Sequence, residues 1–329
     1  GNAASFSCAY HGWTYGNDGR LMAVPNERDA YYGELDQSQW NLVPVAQLDS
    51  YKGLIFATFD PDAPSLLDYL GEMAWYLDCF FDRRQGGVEV VGGVQKWTIP
   101  ANWKLPAENF AGDAYHTAWS HLSAIRTGFA GDFRVNASTQ GAVLSPGNGH
   151  CIIALGPEDV AAPPEPDILE YEKQVRAEVQ QRLGERTSRV NPIVGTMFPN
   201  FSMLRAASYT FRVWHPKGPE KTEVWAWVFA DKAAPDHIKQ QLRLASIRGF
   251  GPSGTFEQDD MDNFNQCTRS GLSPMGRRVP AYLTMGMGHE TTHYALPGTV
   301  AGRRVNEVPQ RAIYNRWQEF MNAKSWADI

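Results

Sequence analysis

The stretch Asn109-Phe110-Ala111-Gly112-Asp113-Ala114-Tyr115-His116-Thr117-Ala118-Trp119-Ser120-His121 places two imidazoles and a carboxylate in one short segment. Two histidines joined by one carboxylate from elsewhere suit a non-haem ferrous ion that keeps coordination positions open for dioxygen. Residues three apart lie about 60° apart around a helix, so Asp113 and His116 can share a face. His116 and His121 lie roughly 140° apart, so a shared ion predicts a helix interrupted between them. The third ligand must come from afar, and the acidic run Phe256-Glu257-Gln258-Asp259-Asp260-Met261-Asp262-Asn263 is the best donor. Spacing alone leaves Glu257, Asp259, Asp260 and Asp262 open, and a solvated helix start with dipole-complementing carboxylates reads the same way.

Upstream, residues 1 to about 60 alternate turn signals such as Tyr15-Gly16-Asn17-Asp18-Gly19 with short apolar strands such as Gly53-Leu54-Ile55-Phe56-Ala57-Thr58-Phe59, which predicts a small β domain. The cluster Asp60-Pro61-Asp62-Ala63-Pro64 ends it, giving domains at 1–62 and 63–329. Next, Val88 to Ile99 alternates like one strand, and Trp103 to Ser120 reads as an interrupted helix. Tyr209 to Trp214 and Glu223 to Phe229 read as neighbouring antiparallel strands, and Pro235 to Arg248 as helix with proline in its first turn. The charged stretch Pro164 to Arg189 predicts a long, polar, solvated surface helix. The whole is α+β, an antiparallel sheet covered by helices following a β domain.

The chain has 329 residues, 43% hydrophobic and 20% charged, with a net charge of -6, which argues against nucleic acid as a partner. No apolar run approaches the roughly 20 residues of a membrane span, and no basic-then-apolar leader is present, so the expected location is cytoplasmic. Four scattered cysteines are too few for a disulfide scaffold. Cys8 and His11 stand three apart in Cys8-Ala9-Tyr10-His11-Gly12-Trp13, a spacing with which one loop can grip a metal; half a zinc site would look the same. His289-Glu290-Thr291-Thr292-His293 fits the zinc-protease pattern, yet flanking glycines, two threonines and Pro297-Gly298 disfavour the helix that pattern needs.

The run Asn109 to His121, with Phe256-Glu257-Gln258-Asp259-Asp260 downstream, closely resembles the large (α) subunit of Rieske non-haem iron aromatic-ring-hydroxylating dioxygenases of the naphthalene and biphenyl type. The likeness extends through Gln95-Lys96-Trp97, Phe198-Pro199-Asn200 and Glu223-Val224-Trp225. It implies a partial Rieske β domain followed by a helix-grip (START-like) catalytic domain. It also implies that His116, His121 and Asp260 hold mononuclear Fe(II), and that Cys8 and His11 form half the ligand set of a [2Fe-2S] cluster. The other half, a Cys-x-His upstream, is not in this sequence, so the chain is expected to be an N-terminally truncated fragment, itself inactive if the cluster cannot form.

By the same resemblance Asp113 is catalytic, hydrogen-bonding the His116 imidazole and, across a subunit boundary, a neighbour's His11. Asn109 is a second catalytic position, and Phe110, Ala114, Phe250 and Phe256 line the substrate pocket. The implied reaction adds both atoms of O2 to an aromatic, polycyclic hydrocarbon to give a cis-dihydrodiol, with electrons drawn from NAD(P)H through ferredoxin and reductase. The implied partner is a small (β) subunit in an assembly of three large and three small subunits. Those pocket positions carry no arginine for a carboxylate, which favours hydrocarbons over phthalate- or salicylate-type acids, with Arg205 as the one residue that could change this. A non-catalytic hydrophobic-ligand carrier and a zinc hydrolase built on His289 and His293 are the competing readings.

Overall fold

The computed structural model describes residues 2–129, 141–155, 165–186, 191–206, 208–291, 296–298, 300–303 and 305–329. Its contacts divide the chain into two units, Gly1–Leu66 and Leu67–Ile329. In the first, β1 (Ser5–Ser7), β2 (Thr14–Gly16) and β3 (Leu21–Ala23) form an antiparallel sheet, followed by the short helix α1 (Glu27–Ala30). The strands β4 (Gln47–Tyr51) and β5 (Leu54–Thr58) then pair as a hairpin. Its turn uses Lys52 and Gly53, both with positive φ, the conformation a tight two-residue connection demands.

The boundary falls at the start of α2 (Leu66–Leu70), and the second unit continues with α3 (Met73–Phe81), buried through Tyr76, Leu77 and Phe80. The expected strand over Val88 to Ile99 is two strands, β6 (Val88–Val90) and β7 (Gln95–Ile99). Gly92 at positive φ and Gly93 break the run, and the two pieces pair end to end with the same neighbour. The helices α4 (Lys104–Gly112), α5 (Thr117–Ser120) and α6 (Leu122–Arg126) follow. After them come β8 (Ala142–Gly147), β9 (His150–Leu155), α7 (Pro166–Leu183), β10 (Asn191–Met197), β11 (Phe201–Arg205), β12 (Tyr209–Pro216) and β13 (Thr222–Asp231). The unit closes with α8 (Asp236–Phe250), α9 (Thr255–Leu272), β14 (Val300–Arg303) and α10 (Val308–Asn322). The antiparallel sheet runs β14-β8-β9-β10-β11-β12-β13-β6, with β7 also on β13. Helices α4 and α10 pack over β8 to β11, and α8 packs over β12 and β13.

Period-two alternation decides what faces α4. In β12, Thr210, Arg212 and Trp214 point inward, and Trp214 joins Ile99, Ala107, Phe110, Leu204, Val224 and Phe264 in one core. On the opposite flank α7 corrects the expectation of a solvated helix. Ile168, Tyr171, Val175, Val179 and Leu183 recur at three- and four-residue spacing and bury one face. That face also brings in Glu172, whose carboxylate accepts from Arg83, Arg205 and Tyr209. Pro164 and residues 187–189 of the expected helix lie outside the described residues.

Two local devices lead to predictions. Gly112 ends α4 against α10, where a Cβ would collide with the Pro309 ring. Gly112→Ala is therefore expected to cost about 1–3 kcal/mol by overpacking, read as a fall in the urea midpoint at constant slope. His150 is fully buried and neutral, its Nε2 donating to the Tyr69 carbonyl and its Nδ1 accepting from the Phe198 N–H. Burial lowers its pKa to about 4. A depressed folded pKa means the contribution is fully present above the ordinary value near 6.5 and is lost as pH falls towards 4, a change on the order of 3 kcal/mol. His150→Gln should flatten stability between pH 6.5 and 4, and an unchanged pH profile would refute this assignment.

Candidate metal centre

Local chemistry breaks the chain where the site needs it. Helix α4 stops at Gly112, and the Asp113 side chain accepts the backbone N–H of His116 at 3.2 Å, closing the non-helical link of residues 113–116. The next turn is α5, a single turn with His116 at its head and His121 at its tail. This corrects the expected break between the histidines. The chain is interrupted before His116 and again at His121, whose φ of -103° and ψ of 24° depart from helix, while residues 117–120 between them stay helical. The bend at His121 supplies the rotation that a regular helix withholds, bringing the two rings to 5.2 Å between centroids.

The third group arrives on α9. Phe256, Asp260, Phe264 and Thr268, four residues apart, form its buried stripe, so Asp260 faces inward, whereas Asp262 is exposed. Asp260 Oδ1 lies 3.3 Å from His116 Nε2 and 3.3 Å from His121 Nε2. One ligand atom from each residue falls within 4.8 Å of the others. Asp260 is 3% exposed, yet its Oδ1 has no hydrogen-bond partner. A buried anionic oxygen facing two imidazole nitrogens calls for a cation between them. Burial opposes charge on His116, but Asp113 and Asp260 raise its pKa to about 10, so the pocket holds positive charge strongly. Two imidazoles, one carboxylate and an open side form the donor set of non-haem ferrous sites, and these residues fit such an ion.

Neighbouring groups fix the rings. Asp259 Oδ2 lies 3.2 Å from His121 Nδ1, which leaves Nε2 free as the ligand nitrogen. Asp113 Oδ1 lies 3.5 Å from His116 Nδ1, and Asn109 Nδ2 stands 3.4 Å from the same ring. Phe256 packs edge-on against His121 at 5.0 Å, Phe250 against Phe256 at 5.1 Å, and Phe110 against Phe250 at 6.4 Å. Ala114 is buried nearby in a cluster with Val143, Ile153 and Leu155. In the other unit, backbone N–H groups of Tyr10 and His11 point at the exposed Cys8 thiol and lower its pKa, so the loop favours a thiolate.

Other expectations resolve differently. Arg205 does not stand free beside the pocket; it is tied to Glu172 and Asn191. His289 is exposed, in a turn closed by its N–H on the Gly286 carbonyl, and Glu290 pairs with Arg311, while His293 lies outside the described residues. Sequence reasoning missed Arg212, which is fully buried beside Phe110 and Phe250 and paired with Glu257 at 2.7 Å. Its phase with Thr210 and Trp214 in an alternating strand was the available signal. Tyr115, which donates to Glu307 at 3.0 Å and so anchors the segment carrying His116 to the start of α10, carried no such signal.

Residues 67–323 match the family described as ring-hydroxylating α subunit, catalytic domain. This chain belongs to that family. It is 36% identical to the large oxygenase component of the naphthalene 1,2-dioxygenase system of Pseudomonas fluorescens, over 100% of this chain and 76% of that protein. It is 37% identical to the biphenyl 2,3-dioxygenase α subunit of Rhodococcus jostii, over 100% of this chain and 73% of that protein. A solved structure of naphthalene 1,2-dioxygenase with indole bound in its active site superposes with a TM-score of 0.88 at 34% identity, covering 100% of this chain and 76% of that one. The family is one of Rieske non-haem iron oxygenases, so this α subunit is an oxidoreductase of the dioxygenase class. Among the described residues no helix is long and apolar enough to cross a membrane.

Proposed function

We propose that this chain is the catalytic subunit of an aromatic-hydrocarbon dioxygenase in which His116, His121 and Asp260 bind Fe(II). The observation that carries this is the convergence of His116 Nε2, His121 Nε2 and the unpartnered Asp260 Oδ1 beside a wall of aromatic rings. Residues 1–62 are the C-terminal part of a Rieske domain, with Cys8 and His11 as half of the [2Fe-2S] ligands, and 63–329 are the catalytic domain. Electrons arrive from NAD(P)H through a ferredoxin and reductase, and the working assembly includes a small subunit in a three-plus-three arrangement.

The bound iron supplies the capacity to activate dioxygen next to the ring. The chain's own residues do the positioning. Asp259 fixes the His121 tautomer, and Asp113 orients His116 from its Nδ1 side. Phe110, Phe250 and Phe256 shape the pocket, hold a planar apolar substrate and keep water out. Overall, one arene, one O2, two electrons and two protons give one cis-dihydrodiol. Arg212 is neutralised by Glu257 and Arg205 by Glu172, so neither is offered to a substrate carboxylate, which favours hydrocarbons over aromatic acids.

The test is product identification with the full oxygenase and a panel of one- to four-ring hydrocarbons beside phthalate and salicylate. Cis-dihydrodiols from the two- and three-ring members are expected. Turnover confined to the acids would overturn the substrate class, and an iron-free protein would overturn the centre itself.

A further inference from the structure

The Arg212–Glu257 pair lies outside the metal ligands yet touches both halves of the site. Arg212 is 0% and Glu257 2% exposed, and Nη1 donates to Oε2 at 2.7 Å. The Nη2 of Arg212 donates to the Phe250 carbonyl at 3.3 Å and to Thr210 Oγ1 at 3.4 Å. The guanidinium carbon stands 4.8 Å from the Phe110 ring centroid, 5.3 Å from Trp214, 5.7 Å from Phe250 and 5.9 Å from Trp97. Glu257 is three residues before Asp260 in the first turn of α9, on the same buried side of the helix.

One planar fork therefore grips, from the rigid strand β12, the end of α8 through Phe250 and the start of α9 through Glu257. Between those two contacts lies the loop that sets Phe256 against His121. Burying a charge pair is weak evidence for stability, because apolar residues of similar volume often serve as well or better. Its geometric specificity is the property a hydrophobic pair would not reproduce.

We propose that Arg212 and Glu257 are positioning residues that hold Asp260 and the Phe250–Phe256 aromatic wall in one register, and so determine which ring carbons are presented for oxygenation. This rests on His116, His121 and Asp260 being the iron ligands, and goes beyond it by assigning regiochemical control to residues that touch neither iron nor substrate.

The decisive variant is Arg212→Met with Glu257→Leu, made in the full oxygenase, since removing either partner alone strands a buried charge. Iron content, the EPR spectrum of the ferrous nitrosyl adduct, the regioisomer ratio from a two-ring substrate and the peroxide released per substrate consumed are measured together. The double variant is expected to fold and to carry wild-type iron. It should show a changed nitrosyl spectrum, a regioisomer ratio altered by about threefold or more and about tenfold lower kcat/KM, because small misplacements are costly in oriented reactions. Arg212→Lys, which keeps the charge but not the fork, should likewise fold and carry wild-type iron yet show an altered ratio. A folded, iron-replete double variant with wild-type spectrum, ratio and coupling would overturn the proposal. Loss of iron from the double variant would overturn it too, by making the pair a support of the ligands alone. Absence of iron from the wild type would instead defeat the metal centre, so the two failures are distinguishable.

Discussion

Asp260→Ala is expected to cut iron binding below roughly one-tenth of wild type and dioxygenation with it, while Asp262→Ala is expected to leave both unchanged. Asp260 is the buried carboxylate shared by both Nε2 atoms, and its removal leaves two protein ligands. Groups that hydrogen-bond a metal ligand already cost about 10- to 100-fold in affinity when removed, so a ligand itself should cost more. Asp259→Ala occupies the middle of the series: the His121 tautomer is less firmly fixed, and iron binds about 10- to 100-fold more weakly without being lost. Elemental analysis after dialysis, with product formation alongside, reads the order. Loss of iron from the Asp262 variant, or a larger loss from the Asp259 variant than from Asp260→Ala, would refute the ligand assignment.

Asp113→Ala is expected to separate iron binding from turnover. The carboxylate bonds the His116 backbone N–H and approaches its Nδ1 without being a ligand, and at 23% side-chain exposure it also reaches the molecular surface. Losing this side chain–backbone hydrogen bond should cost about 1 kcal/mol, which the fold tolerates. Iron should stay near wild type while coupled turnover falls by about 100-fold or more, as expected if the Asp113 carboxylate is the group that joins His116 to a neighbouring subunit's cluster. Stopped-flow reduction of the mononuclear centre after mixing with reduced cluster shows where the loss lies. Full activity in the intact oxygenase would defeat the electron-path role.

The cluster of His116, His121 and Asp260 is legible because its chemistry is local on one side. Asp113, His116 and His121 share a segment, and only Asp260 had to be found elsewhere. Helical arithmetic left four acidic residues open, yet Phe256, Asp260 and Phe264 at four-residue spacing already mark the inward stripe of α9. What stayed hidden depends on tertiary partners. The three- and four-residue spacing of Ile168, Tyr171, Val175, Val179 and Leu183 marks the buried face of α7 beneath its charged composition, whereas nothing local tells that Arg212 meets a glutamate from another element. A regular helix through both histidines predicts the break between them, whereas the chain leaves helix at residues 113–116, where the Asp113 side chain bonds the His116 N–H, and again at His121.

The single turn of α5 acts as a ruler. Its four residues fix how far and through what angle the second imidazole stands from the first. Inserting or deleting one residue there would swing His121 by about 100° around the axis, away from Asp260 and Asp259 together. Length in this turn is therefore a stricter requirement than side-chain identity. Trp119 within it is 81% exposed and free to vary, while the count of residues is not.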